Sequence, residues 1–551
     1  MMPNQARSIA RAVLIGLVAM TALSPALAQS PPLWGKLTPG RFPVGFRSEW
    51  QLDHSRRYNT TFDDQTKYAD VPAPRPILLN VWYPAANVGD AKRMPHRDYL
   101  EIRSDNPQLT KFATKLAEYN RGVIAQEVMQ KPAKNLEDRE KQLLDQILDS
   151  PTACIRNAPP AEGRFPLVIY HSGHGSSFED NAVLCEYLAS HGFVVIGSAF
   201  QKPDGSSFGV DGGLHSAHDM AFLVAAAGRF PNVDSRHIGV IGHSGGAHAA
   251  LTYGSLPGAA VDAVVSLDTT QDYHSVKDPG WLDMTNLVLK NRKNFASSLL
   301  MVAAPYAYFD LADRLNRAPR YYFTVPGLGH DDYIAQGGIS RERLLQLSLG
   351  DPKKTPETRA EQQAELAKVN AGYRSSCEYI LRFLEAELKG DAPAKEALNT
   401  QLRRTKLGAE PHVEFVPLGR TGPDAFPENN STPPTPRQLH DFLRREGSEK
   451  TIGLLKQFRK TAPDAPIFHD NFEMYLVFDL LDDGRIKDAQ AFRDYYREKG
   501  LDVEKYLLES ARIFHKRGAN NLAKSFFRRL LLLEPANQEA AEALKQLSEE
   551  K

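Results

Sequence analysis

The middle of the chain alternates short apolar runs with longer stretches of helical pattern. Helical patterns are clearest at 177–190 and 215–228. Strands that are apolar throughout and alternate with helices predict an α/β fold with a doubly wound, mostly parallel sheet covered on both faces. Ligands of such sheets bind at the carboxyl ends of the strands. The predicted strands are 75–84, 166–170, 192–196, 236–241, 263–267, 298–302 and 320–325.

The pattern also divides the chain into parts. The α/β pattern belongs to a domain predicted over 29–406, with a polar, partly helical insertion at 86–160. Residues 407–437 are rich in Pro, Gly and Asn, a composition that disfavours packing and predicts a linker. The remainder, 438–551, is helical by pattern. A chain of 551 residues is too long for one core, which agrees with this division.

The helical part contains an internal repeat. Gly484 and Gly518 lie 34 residues apart, Phe492 and Phe526 follow them at the same offset, and Pro535 closes the second unit. This period is typical of tetratricopeptide repeats, so we predict a tetratricopeptide-like domain. Such helix pairs present a groove to a protein partner or pack on a neighbouring domain, and the pattern leaves both interpretations open.

The first 28 residues have the pattern of a signal peptide. Arg7 and Arg11 precede an apolar run at 12–23, and a small-x-small cleavage site follows at 26–28. We therefore expect an exported protein, periplasmic or secreted, that begins near Gln29. No later segment approaches ~18 consecutive apolar residues, so no integral membrane segment is expected in the mature chain.

Composition narrows the choice of partners. Lysine and arginine together number 67, as do aspartate and glutamate, so the formal net charge is zero. No electrostatic footprint for nucleic acid is visible, and we expect no nucleic-acid partner. The three cysteines, Cys154, Cys185 and Cys377, do not make a disulfide framework.

One short motif carries the strongest chemical signal. Residues 242–246 read Gly-His-Ser-Gly-Gly, between the predicted strand at 236–241 and a helical start at 247–251. Strand, tight turn and helix are the context of a nucleophile elbow, in which a strained turn exposes the serine hydroxyl. Gly242 and Gly246 supply the room for strand and helix to approach. Ser244 is therefore the candidate nucleophile.

A serine hydroxyl needs a base within hydrogen-bond reach. His330 lies in a glycine-rich loop directly after the strand at 320–325, and the order serine then histidine fits the same kind of fold. The carboxylate that orients the histidine has two candidate locations. Asp268 directly follows the strand at 263–267, whereas Asp310 and Asp313 follow the next strand after an intervening stretch at 304–309. We favour Asp268 on geometry and keep the other two as alternatives.

The oxyanion of an acyl-transfer reaction needs two aimed donors. The amide of Gly245 is one candidate, and the amide of His174, in the loop after the strand at 166–170, is the other. Several histidines stand nearby, His171, His243 and His248 among them, but no metal-ligand spacing accompanies them. We expect neither a metal nor a cofactor.

With these residues the chain resembles the platelet-activating-factor acetylhydrolase-like branch of α/β-hydrolases, near the dienelactone-hydrolase-like group. The resemblance covers about residues 39–390. In that family the acid follows the strand after the elbow helix, which corresponds to Asp268 and is the main reason to prefer it. Dienelactone hydrolases proper use a cysteine nucleophile, so Ser244 argues against that activity. The matching segments are 43–45, 75–77, 81–84, 171–175, 242–246, 266–268 and 329–330.

One departure concerns the loop that donates to the oxyanion. The family pattern is usually His-Gly-x-Gly, whereas residues 171–175 read His-Ser-Gly-His-Gly. A histidine thus stands where an apolar residue is common, which bears on acyl preference more than on the reaction.

Together these observations predict an exported serine hydrolase that cleaves a small-molecule carboxylic ester through an acyl-enzyme. A serine peptidase or amidase with the same triad is one alternative. A binding module whose helical repeats carry the function is another.

Overall fold

The computed structural model describes most of the chain after the amino terminus. The described residues are 31–59, 72–87, 89–129, 131–201, 213–273, 281–336, 340, 343–344, 356–401, 410–423, 432–516 and 520–549. The predicted signal peptide at 1–28 lies outside them, as does Gly518 of the predicted repeat. Among the described residues, every helix is too short or too polar to cross a bilayer.

A single ten-stranded sheet forms the centre of the first domain, in the order β10-β9-β8-β7-β6-β4-β5-β2-β1-β3. The pairs from β5 to β9 are parallel, and so is the pair of β1 with β3. The strand β2 joins β1 and β5 in antiparallel fashion, and β10 joins β9 in the same way. The prediction of a doubly wound, mostly parallel sheet is confirmed. Its strands are β1 Val44–Asn59, β2 Pro72–Pro84, β3 Cys154–Arg156, β4 Phe165–His171, β5 Val194–Gly197, β6 Val233–His243, β7 Ala263–Leu267, β8 Ser298–Ala303, β9 Arg320–Thr324 and β10 His412–Val416.

Helices cover both faces of the sheet. Helices α3 and α8 pack on one face of the sheet, and helices α4 and α5 pack on the other. Both faces of β4 are buried, which agrees with its largely apolar sequence. The helices of this part are α1 Pro107–Met129, α2 Asp138–Leu148, α3 Ala182–Ser190, α4 Leu214–Ala227, α5 Gly245–Ser255, α6 Trp281–Asn291, α7 Asp310–Asp313, α8 Pro356–Leu388 and α9 Ala392–Gln401.

The chain reverses its winding direction at β4. The strand after it, β5, lies on one side of β4, and β6 lies on the other. His171 at the end of β4 is in register with Gly242 near the end of β6. The loops that leave β4 and β6 therefore meet at the switch point, where doubly wound sheets bind their ligands.

The insertion at 86–160 contains the helices α1 and α2, which bury a small apolar cluster of their own. Its helix α1 also reaches the loop after β4, since the Tyr119 hydroxyl donates to the carbonyl of Gly175 at 3.1 Å. The insertion thus packs beside the sheet edge where the candidate site lies.

The segment predicted as a linker differs from that expectation in part. Residues His412–Val416 form β10, which pairs with β9 at the edge of the sheet. Val413 and Val416 are buried, and this apolar, β-branched run outweighs the Pro- and Gly-rich composition around it.

The carboxyl-terminal part is helical in its described residues and has its own apolar core. Tyr308, in the loop after β8, belongs to that core, so the two parts share a packed interface. The tetratricopeptide-like character stays a prediction. The helices are α10 Pro436–Glu446, α11 Ser448–Thr461, α12 Asp470–Asp482, α13 Ile486–Arg497, α14 Val503–Lys516, α15 Asn520–Leu533 and α16 Gln538–Glu549. All three cysteines of the chain are buried free thiols.

Candidate active site

Ser244 occupies the sharp turn between β6 and α5. Its backbone has φ 52° and ψ −117°, a conformation that a non-glycine residue adopts only at a cost of about 1–3 kcal/mol. Its amide donates to the carbonyl of Leu267 on β7 at 2.9 Å, which ties the turn to the neighbouring strand. The side chain of Ser244 is consequently held at the end of the sheet, where the residue is half-buried.

Two glycines are required for this turn because backbone lies against them. A Cβ on Gly242 would stand 2.1 Å from the carbonyl oxygen of Gly246. A Cβ on Gly246 would stand 2.4 Å from the carbonyl oxygen of His171. Neither neighbour can give way without moving a strand or a helix, so the close approach depends on the absence of side chains.

The structure brings the predicted serine, histidine and aspartate into one hydrogen-bonded chain. His330 Nε2 lies 2.9 Å from Ser244 Oγ, and His330 Nδ1 lies 2.6 Å from Asp268 Oδ2. His330 begins a short 3-10 turn, His330–Tyr333, in the loop after β9. The histidine side chain is 48% exposed and the aspartate side chain only 6%, so solvent reaches the triad from the serine side.

The alternative acids lie elsewhere. Asp310 pairs with Arg314 and Arg444, and Asp313 pairs with Arg437 at 2.7 Å. Both carboxylates therefore serve the interface with the helical part, while Asp268 is the carboxylate that contacts His330.

The pKa of His330 is raised above its ordinary value of 6.5. Burial of the ring opposes this rise, but the hydrogen bond and the charge of Asp268 outweigh burial, and the charge of Asp331 adds to them. An imidazole held in this way accepts a proton from Ser244 more readily than a free one. Because a carboxylate accepts from Nδ1, the neutral ring carries its proton there and presents Nε2 to the serine as an acceptor.

Asp268 is held by contacts from several segments. It has φ 44°, and its amide donates to the carbonyl of Val302 on β8 at 2.8 Å. The hydroxyl of Tyr273 donates to Asp268 Oδ1, on the oxygen that does not face His330. That hydroxyl in turn accepts from the amide of Ala304 at 2.8 Å. Tyr273 was not predicted from sequence, since a tyrosine five residues after an aspartate follows no motif.

The two predicted oxyanion donors lie next to each other beside Ser244. A Cβ on Gly245 would stand 3.3 Å from the amide nitrogen of His174, and a Cβ on Gly173 would stand 3.4 Å from Ser244 Cβ. Within the described part of the chain, neither the Gly245 amide nor the His174 amide has an acceptor. Two amides are thus free beside the serine hydroxyl, as an oxyanion site requires.

Buried carboxyl groups support the loop that carries His174. Ser176 donates to Glu127 of α1 at 2.7 Å, and Tyr170 donates to Asp180 at 2.5 Å. Burial raises the pKa of Asp180 to about 7 and that of Glu179 to about 8. Sequence analysis did not identify this group, because its members come from the insertion and from two segments of the core.

The histidines His171 and His243 are buried, and burial keeps them neutral. Burial lowers the pKa of His171 to about 4 and that of His243 to about 3. His171 Nδ1 donates to the carbonyl of Ser172 at 2.7 Å, and its ring stacks on Phe200 at 3.8 Å. His243 Nε2 donates to the carbonyl of His330 at 3.1 Å, which fixes the backbone of the base. Among the described residues there is no group of three or more His, Cys, Asp or Glu side chains placed to hold a metal.

Comparison with known proteins adds little beyond this geometry. No protein-family profile matches the chain, and no curated protein matches it in sequence. Among solved structures, the chain is similar to a ferulic acid esterase from Streptomyces cinnamoneus, with 19% identity and a TM-score of 0.41. The similarity covers 68% of this chain and 97% of that one. We draw no functional argument from a similarity of this degree.

Proposed function

We propose that the protein is a serine hydrolase that cleaves carboxylic esters through an acyl-enzyme intermediate. The hydrogen-bonded chain from Ser244 through His330 to Asp268 carries this proposal. The two hydrogen bonds of this chain measure 2.9 and 2.6 Å. The serine stands in a strained turn, and two amides without an acceptor among the described residues lie beside it. The fold alone does not require these features to occur together.

The reaction follows from these positions. Ser244 Oγ attacks the ester carbonyl carbon while His330 Nε2 takes the hydroxyl proton. The carbonyl oxygen gains negative charge and accepts from the amides of Gly245 and His174. When the C–O bond to the alcohol breaks, His330 returns the proton to the leaving oxygen and the acyl group stays on Ser244. Water then attacks the acyl-enzyme with the same base, releasing the acid.

Asp268 has a positional and an electrostatic part in both steps. Its Oδ2 accepts from Nδ1 and so selects the tautomer in which Nε2 is free for Ser244. Its charge stabilises the imidazolium that forms each time the serine or water gives up a proton.

The location of the reaction is a separate proposal. The pattern at 1–28 supports export to the periplasm or the medium. The first residues of the purified protein from the native host, read by amino-terminal sequencing, test this. A start near Gln29 supports export, and an intact Met1 contradicts it.

The reaction itself is tested by covalent labelling and by turnover. A fluorophosphonate reacts when an activated serine displaces fluoride from phosphorus, whatever the natural substrate. We expect labelling of Ser244, located by peptide mass, and hydrolysis of one or more p-nitrophenyl esters in a series of increasing acyl length. The best chain length estimates the depth of the acyl site.

Two variants make this test specific. Ser244→Ala is expected to lose labelling and to lower kcat by about 10⁴-fold or more. Ser375→Ala, at a half-buried serine on α8, should retain both. Turnover of anilides at comparable rates would move the assignment to an amidase. If the folded protein shows neither labelling nor turnover, the assignment as a serine hydrolase is wrong, and binding by the helical part becomes the candidate function.

A further inference from the structure

The helical part packs against the side of the acid that faces away from His330. The ring of Tyr475 on α12 lies 6.1 Å from the ring of Tyr273. The ring of Tyr306, in the loop after β8, lies 4.9 Å from Tyr273. The residue that donates to Asp268 therefore has aromatic neighbours from both parts of the molecule.

The loop after β8 is anchored to the helical part at two aromatic residues. Tyr306 stacks on His469 at 4.1 Å with 15° between the ring planes, and its hydroxyl accepts from Asn471 at 3.1 Å. Tyr308 stacks on His440 at 4.2 Å, and its hydroxyl donates to Asp479. Residues 304–309 are consequently fixed between the sheet and the helices α10 and α12.

The first residue of that loop completes a directed hydrogen-bond chain. The amide of Ala304 donates to the hydroxyl of Tyr273, which leaves the hydroxyl proton for Asp268. A hydroxyl that accepts a backbone bond has its proton direction fixed, so Tyr273 cannot turn away from the carboxylate without leaving the Ala304 amide unpaired. Burial makes such a loss costly.

We propose that Tyr273 is a positioning residue for the triad acid and that the helical part, through Tyr475, holds Tyr273 in place. This inference rests on the proposed function, because Asp268 is the acid only if Ser244 is the nucleophile. The helical part is then a structural component of the active site rather than an independent binding module.

Removing the Tyr273 hydroxyl should change the pKa of His330, which a loss of packing alone would not do. With one donor fewer, Asp268 becomes a stronger acceptor for the Nδ1 proton of His330, and the pKa of His330 rises further. Among the residues that the structure describes, the other titratable side chains that act on His330 or lie against it are Asp331 and the neutral His243, and Tyr273→Phe changes neither. A looser carboxylate also orients the imidazole less well.

The experiment measures the second-order rate of fluorophosphonate labelling against pH in the full-length protein. For Tyr273→Phe we expect a rate about tenfold lower at the pH optimum and an acid limb displaced upward by about half a pH unit. Tyr253→Phe, at a buried tyrosine on α5, is the matched control and should leave both unchanged. If the acid limb of the pH profile does not move and the labelling rate stays within twofold of wild type, the proposed role of Tyr273 is wrong.

The contribution of the helical part is tested by a double-mutant cycle. If Tyr475 acts through Tyr273, Tyr475→Ala lowers the rate severalfold alone but no further when added to Tyr273→Phe. Tyr475→Phe keeps the ring and should restore the wild-type rate. If Tyr475→Ala does not fold, Tyr475→Leu replaces it in the cycle. Effects that multiply in the double variant would contradict the proposal.

A control separates this contact from general loss of stability in the helical part. Phe492 is fully buried on α13 and packs on Tyr496, within the helical core. Phe492→Ala should lower the Tm but leave the labelling rate of the folded protein unchanged. Loss of labelling in Ser244→Ala establishes the proposed function independently, so wild-type behaviour of Tyr273→Phe would overturn the further inference alone.

Discussion

The two ends of the triad are held in different ways. At the serine end, the turn is fixed by backbone contacts, with the backbone of Gly242 against that of Gly246 and the Ser244 amide on the Leu267 carbonyl. At the acid end, Asp268 accepts from Tyr273, whose hydroxyl accepts in turn from the Ala304 amide. The ring of Tyr273 lies 6.1 Å from that of Tyr475 in the helical part. The serine end is open to solvent, and the acid end is enclosed.

This difference assigns separate tasks to the two ends. Under the proposed function the serine must meet a substrate, and its position is imposed by backbone strain that does not close the site. The acid needs no contact with a substrate, and enclosure strengthens its interaction with the imidazole because fewer water molecules compete for the carboxylate. Substitutions at the serine end should therefore act on folding of the turn or on chemistry directly, and substitutions at the acid end should act through the orientation and pKa of His330.

The largest effect is expected for Gly242→Ala. The added Cβ would collide with the Gly246 carbonyl at 2.1 Å, so β6 or α5 must move, at a cost of several kcal/mol. We expect little folded protein, measured by thermal unfolding and soluble yield. Gly122→Ala on α1 is the control: its Cβ would contact nothing within 4 Å, and it should be neutral or stabilising by about 0.5–1 kcal/mol. A normally stable Gly242→Ala would show that the turn is not fixed by this contact.

The next effect is expected at the acid end. Asp268→Asn keeps the size of the side chain but allows the wrong histidine tautomer, so kcat should fall by about 10⁴-fold while the protein stays folded. Asp310→Asn, at the alternative acid that pairs with Arg314 and Arg444, should keep kcat within a few-fold of wild type. Equal losses in the two variants would break the assignment of Asp268.

The features that could be predicted from sequence are those determined by a short segment or by the end of a strand. The strand pattern predicted seven of the ten strands, and it missed β1 and β3 as well as β10. Residues 242–246 with their flanks predicted the positions of Ser244 and the Gly245 amide, since the determinants are adjacent in the chain. His330 and Asp268 were predictable because each follows a strand whose end lies at the same edge. Tyr273, Tyr475 and the carboxyl groups near the His174 loop were not, because their roles come from contacts between distant segments. The strand β10 was missed because its five residues lie in a Pro- and Gly-rich segment.

A third effect concerns the base that joins the two ends. His330 must be neutral to accept the serine proton, and its pKa lies above 6.5. We expect kcat/KM to fall tenfold per pH unit on the acid side, with a midpoint above pH 6.5 and a slope of one. His243 adds no second limb in this range, since its pKa is about 3. A midpoint below 6.5 in a pH–rate profile would contradict the coupling of His330 to Asp268.

The raised pKa of His330 makes stability change with pH in the direction opposite to activity. Because folding raises the pKa of His330, its protonated form stabilises the folded state fully below pH 6.5, and that contribution is lost as pH rises through the folded pKa. Activity and this part of the stability should therefore change in opposite directions between pH 6 and 8, which paired rate and Tm measurements can show.

The smallest effect is expected beneath the His174 loop, at the serine end. Burial raises the pKa of Glu179 from 4.5 to about 8, so its contribution to stability is full below pH 4.5 and is lost as pH rises through 8. Glu179→Gln removes this titration while its amide oxygen can still accept from Ser177. The Tm of the variant relative to wild type should therefore rise by about 2 °C or more between pH 5 and pH 9. Glu542→Gln, at an exposed position on α16, should show no such trend. A Tm difference that does not change with pH would mean that Glu179 stays ionised in the folded protein.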